Sequence, residues 1–123
     1  MDTTQTTAVS AVQASYGLRA SAIITLTTSG TTAKMCAKYR PKCPVVAVTR
    51  FPQVARQLQL HRGVVPLYYR QDRVEDWTQD VDARIQYAVD YGKKQGFIKS
   101  GDQVVCVTGW RQGSGSSNTM RIM

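Results

Sequence analysis

Short apolar, β-branched runs alternate along this chain with longer stretches whose apolar residues recur at helical spacing. The runs are Ala20–Leu26, Val45–Thr49, Val64–Tyr69 and Gln103–Thr108, and each is the length of a buried strand. Pro66 inside the third run marks it as an edge or irregular strand, since proline cannot donate to a ladder. One amphipathic stretch precedes the first run and three lie between the runs. Ala8, Ala11, Val12 and Ser15 fall on one face of a first helix, which Gly17 and the turn after it are expected to end. A short helix is predicted from Ala33 to Lys38, stopped by Pro41. A third begins at Phe51-Pro52 with Val54, Ala55, Leu58 and Leu60 as its apolar face. The longest runs from Val74 to about Lys94; Trp77, Val81, Ile85 and Ala88 share one face, Tyr91 borders it, and Lys93 and Lys94 complement the helix dipole before Gly96.

The order is therefore one helix, three strand–helix pairs and a fourth strand. After that strand come three glycines and three serines in a few residues, and Met120-Arg121-Ile122 then resumes a strand-like pattern, so the chain ends in a hairpin. Strands alternating with helices predict an α/β sandwich, a largely parallel sheet with helices on both faces. At 123 residues the chain forms one domain, 1–123.

Composition narrows the function classes. Apolar residues make up 42% of the chain and charged residues 20%, as in ordinary soluble domains. No apolar run approaches the roughly 20 residues that span a bilayer, and the first residues show no secretory pattern, so a cytoplasmic location is expected. Cys36, Cys43 and Cys106 are an odd number without a CxxC pair; a disulfide framework or structural zinc is not expected, and each reads as a small hydrophobe. His61 has no neighbouring cysteine or acid to complete a metal site. The net charge of +8 suits nucleic acid, a membrane surface or small phosphorylated ligands, and no membrane partner is expected. The basic residues are scattered, however, with no groove-reading motif, so no nucleic-acid partner is expected.

Three features carry candidate chemistry. Thr27-Thr28-Ser29-Gly30-Thr31-Thr32 joins a strand to a helix start, the arrangement that receives phosphate on free first-turn N–H groups. Simple N-capping by Ser29 or Thr31 is the plainer reading of the same residues. Second, Thr108 to Asn118 offers glycine backbone, serine hydroxyls and Arg111, suiting it to an anion as well as to a bare hairpin connection. Third, Arg84 lands on the apolar face of the long helix with Trp77. An arginine there needs a carboxylate, a phosphate or a water-lined cleft, and Asp80 one turn back is the ordinary partner. Both loops follow strands, so both can lie at the carboxyl edge of the sheet, where open α/β sheets bind ligands.

With those residues placed, the chain resembles the C-terminal domain of pyruvate kinase, of the animal type. The matching pieces are Thr27–Thr32, Lys38-Tyr39-Arg40-Pro41, Ala47–Arg50, Arg62-Gly63, Trp77 with Asp80, Asp82 and Arg84, Lys99–Asp102, Thr108–Arg111, Gly113–Gly115 and Asn118. The resemblance implies a three-layer sandwich with a five-stranded, mostly parallel sheet and an antiparallel last strand. It also implies an allosteric site for fructose 1,6-bisphosphate. Thr27, Thr28, Ser29, Gly30, Thr31 and Thr32 would grip one phosphate, and Trp77 and Arg84 the other. The loop bearing Trp110, Arg111, Gly113, Ser114, Gly115 and Ser116 would close over the sugar. Residues 1–20 would form a leading helix at a subunit interface, and effector binding would favour an active tetramer.

Two departures from the family pattern bear on that loop: Gln112 stands where proline is usual and Ser116 where an aromatic residue is usual, so looser closure is expected. Thr28 is neutral, neither adding a cation for phosphate nor an acid against it. The catalytic β/α barrel of the family, with its basic residue and metal-binding carboxylates, has no counterpart in these residues. The resemblance thus implies a regulatory piece without catalytic residues, metal or cofactor of its own; the parent enzyme's magnesium, potassium and catalytic barrel lie elsewhere. An assembly-only domain with a silent effector site is the alternative. A small independent enzyme finds no base–nucleophile pair to support it.

Overall fold

A computed structural model describes residues 3–109 and 117–123. Strands β1 (Ala22–Leu26), β2 (Val45–Thr49), β3 (Val64–Tyr68), β4 (Val104–Gly109) and β5 (Ser117–Ile122) form one sheet in the order β3-β2-β1-β4-β5. The first four are parallel, and β5 returns antiparallel to β4, with a bulge between Thr108 and Gly109. Pro66 sits in an edge strand, as its missing N–H requires.

Successive strand residues point to opposite faces, and the sheet is covered on both. Ile23, Val45, Ala47, Val105 and Val107 pack beneath helices α1 (Thr3–Leu18), α2 (Thr31–Lys38) and α3 (Pro52–Leu58). Ile24, Leu26, Val46, Val48 and Cys106 pack beneath α4 (Trp77–Gln95). Ile23 and Ile24 are both fully buried, so neighbouring residues of one strand anchor both layers, each side chain contributing about 1.5–3 kcal/mol. The result is the expected three-layer α/β sandwich.

Local chemistry explains the element ends. The buried face of α1 is Ala8, Ala11, Val12 and Ser15, so the small residues that allow close approach are used within the chain, against α2 and the sheet. Gly17 lies inside this helix; Arg19 instead takes the left-handed turn at φ 52, while the Ala20 N–H closes on the Ser15 carbonyl at 3.0 Å. Leu60 does not join the apolar face of α3. That helix ends at Leu58, and Leu60 is 88% exposed. Helix α4 starts three residues later than the apolar spacing suggested, because the Asp76 carboxylate caps it by accepting from the Thr78 N–H at 2.9 Å. Gly96 ends it in the left-handed region at φ 93, its N–H donating to the Gly92 carbonyl at 2.9 Å.

Cysteines are deep in both layers. Burial, aided by the nearby Cys43, pushes the Cys36 thiol from 9.0 up to about 12, and burial pushes Cys106 up to about 11. Between these values and 9.0 the unfolded chain has lost thiol protons that the folded chain keeps, so stability falls as pH rises through this window. Each pH unit per thiol is worth about 1.4 kcal/mol. Urea titrations from pH 8 to 11 are therefore expected to show a shallower alkaline loss in a Cys36→Ala/Cys106→Ala variant; identical slopes would contradict it.

Candidate functional site

All four parallel strands point the same way, so the turns after β1, β2 and β3 open, and β4 ends, at one carboxyl edge. Helix α4 follows β3 and therefore begins at that edge. The sheet order reverses direction between β1 and β4, making that end of the sheet the crevice where α/β ligands bind.

The turn after β1 divides its six residues by role. Thr27 is buried, and its hydroxyl accepts from the Gly30 N–H at 2.7 Å, which bends the chain into α2. Gly30 occupies the N-cap in the left-handed region at φ 87, and an added Cβ would lie 3.2 Å from Leu58 Cδ2 and 3.3 Å from Val54 Cγ1. Glycine is thus favoured by conformation, and a Cβ would in addition have to move the α3 side chains by a few tenths of an ångström. Gly30 has no side chain to cap with, but the Ser29 hydroxyl accepts from the Thr31 N–H at 3.4 Å, so the plainer reading holds in part for Ser29 and not for Thr31. Their hydroxyls pair with each other at 2.9 Å. Thr28, Ser29 and Thr31 are exposed at the edge, and Thr32 is buried beneath them. Backbone donors at a helix start and three exposed hydroxyls can receive an anion.

Trp77 and Arg84 are brought together at the head of α4, with the guanidinium carbon 5.4 Å from the indole centroid. The Arg84 side chain is only 11% exposed. Its charge is met in part by Asp80, whose Oδ2 lies 3.2 Å from Nη2. That contact lacks hydrogen-bond geometry, and Nε and Nη2 of Arg84 are buried with no hydrogen-bond partner among the described residues. Burial pushes the guanidinium below its ordinary value; Asp80 opposes this, while the Arg50 and Arg73 charges reinforce it. Arginine remains a cation even so.

Asp80 is already committed elsewhere. Arg50 grips both carboxylate oxygens, Nη2 to Oδ1 at 2.6 Å and Nη1 to Oδ2 at 3.1 Å, and the Val74 N–H adds a bond to Oδ1 at 3.2 Å. Burial raises the carboxyl's pKa, but the hydrogen bonds from Arg50 and Val74 and the two arginine charges more than offset this and hold it below the ordinary value. Arg50 itself is fixed by donating Nε to the Gln71 carbonyl at 3.1 Å and by lying over the Tyr69 ring at 5.1 Å. One carboxylate thus stands between two guanidinium groups, leaving a positive excess at the sheet edge.

The ordinary explanation of Arg84, its pairing with Asp80, is present but incomplete. Arg50 was not among the sequence-derived site residues. Its signal in the sequence is a cation immediately after a buried strand, which places it at the carboxyl edge. The loop residues Trp110, Arg111, Gly113, Ser114, Gly115 and Ser116 lie outside the described residues, as does Gln112. Among the described residues, no cluster of three or more His, Cys, Asp or Glu side chains is arranged to hold a metal ion. No helix there is long and apolar enough to cross a membrane.

Comparison with known proteins gives this edge its context. The family model described as "Pyruvate kinase, alpha/beta domain" matches residues 5–123. Pyruvate kinase PKLR of Homo sapiens is 49% identical over 122 residues, covering 99% of this chain and 21% of that protein. Pyruvate kinase 1 of Saccharomyces cerevisiae is 47% identical over 120 residues, 98% of this chain and 24% of its own length. Pyruvate kinase of Schizosaccharomyces pombe is 45% identical over 119 residues, 97% and 23% respectively. The chain spans less than a quarter of the length of each of these relatives. With a matching fold and a family model covering nearly all of it, the chain belongs to the pyruvate kinase alpha/beta domain family.

Proposed function

We propose that this chain is the regulatory domain of a glycolytic, cytoplasmic pyruvate kinase and binds fructose 1,6-bisphosphate at the carboxyl edge of its sheet. Arg84 and Trp77 take one phosphate. The Thr27–Thr32 turn takes the other on its exposed hydroxyls and first-turn N–H groups, and residues 110–116 close over the sugar. The observation that carries this reading is Arg84, a nearly buried cation with two donor nitrogens unmatched among the described residues. Such groups cost free energy unless an acceptor reaches them, and a phosphate supplies both the acceptors and the missing negative charge. The domain also associates with copies of itself through α1 and β5 and contributes to tetramer assembly, while catalysis, with its magnesium and potassium, belongs to the barrel of the parent chain.

Titration calorimetry tests the reading directly. The domain is expected to bind fructose 1,6-bisphosphate saturably and fructose 6-phosphate more weakly. Thr31→Glu sets a carboxylate among the exposed hydroxyls and against the phosphate, and like charges at that range cost several kcal/mol, so affinity should fall by about 100-fold or more. Absence of heat at millimolar bisphosphate would sink the proposal. A domain that assembles to the same extent with and without the sugar in sedimentation would favour the alternative, an assembly domain with a silent site.

A further inference from the structure

Arg50 does not belong to the set of groups proposed to touch the sugar, yet its geometry governs the one that carries most of the charge. All three of its donor nitrogens are occupied: Nε by the Gln71 carbonyl at 3.1 Å, Nη1 and Nη2 by the two oxygens of Asp80 at 3.1 and 2.6 Å. The Tyr69 ring beneath it removes its remaining freedom. Asp80, 2% exposed, sits one helical turn before Arg84 and would be its natural bidentate partner. It is instead turned to Arg50, and Arg84 meets it no nearer than 3.2 Å, at Nη2, without hydrogen-bond geometry.

We propose that Arg50 is a positioning residue for the anion site: by holding both oxygens of Asp80, it keeps the Arg84 donors available to a phosphate. Asp80 then has two effects that oppose each other. It neutralises enough charge to let two guanidinium groups lie close together, and it would quench Arg84 if released. Arg50 prevents the second effect while using the first. The inference rests on reading Arg84 as a phosphate ligand, but the state of Arg84 in the ligand-free domain is observable by itself.

The test is the Arg84 Nε–H resonance in proton–nitrogen spectra of the ligand-free domain, assigned by comparison with Arg84→Lys. In Arg50→Met, and in Arg50→Lys should the former not fold, Asp80 is released toward Arg84. The resonance should then move to the position of a carboxylate-bonded guanidinium, because neither methionine nor a single ammonium can cover both oxygens. Affinity for fructose 1,6-bisphosphate should fall by about tenfold in Arg50→Met, the scale of one charge-assisted hydrogen bond. It should largely return in Arg50→Met/Asp80→Asn, where no carboxylate remains to quench Arg84. A support role in folding alone would not give that recovery. An unmoved resonance in a folded Arg50 variant overturns the proposal. A wild-type domain that binds no bisphosphate overturns the function proposed above and leaves the resonance to decide this one.

Discussion

Asp80→Ala is expected to cost about 3–5 kcal/mol of folding stability, the scale of breaking a buried ion pair from one side. The carboxylate is 2% exposed and is the shared counter-charge of Arg50 and Arg84. Alanine leaves two guanidinium groups facing each other with no anion between them. It also removes the acceptor for the Val74 N–H, and with it the tie that brings the segment before α4 onto the head of that helix. Repulsion and lost hydrogen bonds act in the same direction. Guanidinium titrations followed by circular dichroism measure the loss. A cost below about 1 kcal/mol, ordinary for a surface change, would show that both arginines reach water and that the positive excess at the edge is illusory.

Arg84→Met should behave in the opposite way. Methionine fills much of the same volume beside Trp77, and the unmatched Nε and Nη2 groups disappear with the guanidinium. Asp80 keeps its two-oxygen pair with Arg50 and its bond from Val74, so no charge is orphaned. Stability is expected to hold or to rise by about 1 kcal/mol, as when a poorly satisfied buried polar group becomes apolar. Binding of fructose 1,6-bisphosphate should fall by about 100-fold or more, the combined effect of two charge-assisted hydrogen bonds. Thermal melting and calorimetry on the same preparations settle it. A variant that is clearly destabilised makes Arg84 a structural residue. One that is stable and still binds the sugar tightly removes Arg84 from the site.

The contrast between these two substitutions also explains what was readable in the chain alone. Strands and core positions were legible because burial writes a simple pattern: β-branched runs for the doubly covered strands, and Ala8, Ala11, Val12 and Ser15 at helical spacing for α1. The edge position of β3 was one of the two readings that Pro66 allowed. Local periodicity misled where capping chemistry decides the ends, at Asp76 for the start of α4 and at Arg19 for the end of α1. It also enrolled Leu60 in a helix that had already stopped. Arg84 was conspicuous, since a cation on an apolar stripe breaks the pattern. Arg50 was not. Its importance comes from a contact between the end of β2 and the first turn of α4, and such long-range pairings leave no local trace. Thr27 through Thr32 could be named as a group, but their division into turn-forming, exposed and buried residues needed coordinates.

The sheet order has one further consequence, for kinetics. Strands β1, β2 and β3 adjoin their sequence neighbours and can pair as each arrives, whereas β1 meets β4 only after α2, β2, α3, β3 and α4 have all been laid down between them. Among the strand pairings this one closes the longest stretch of chain, and contacts of this kind slow folding. The carboxyl edge of the sheet is therefore complete only once β4 has joined β1. A chain held short of that step carries the Thr27–Thr32 turn and the Arg84 cluster on a sheet that still lacks β4 and β5.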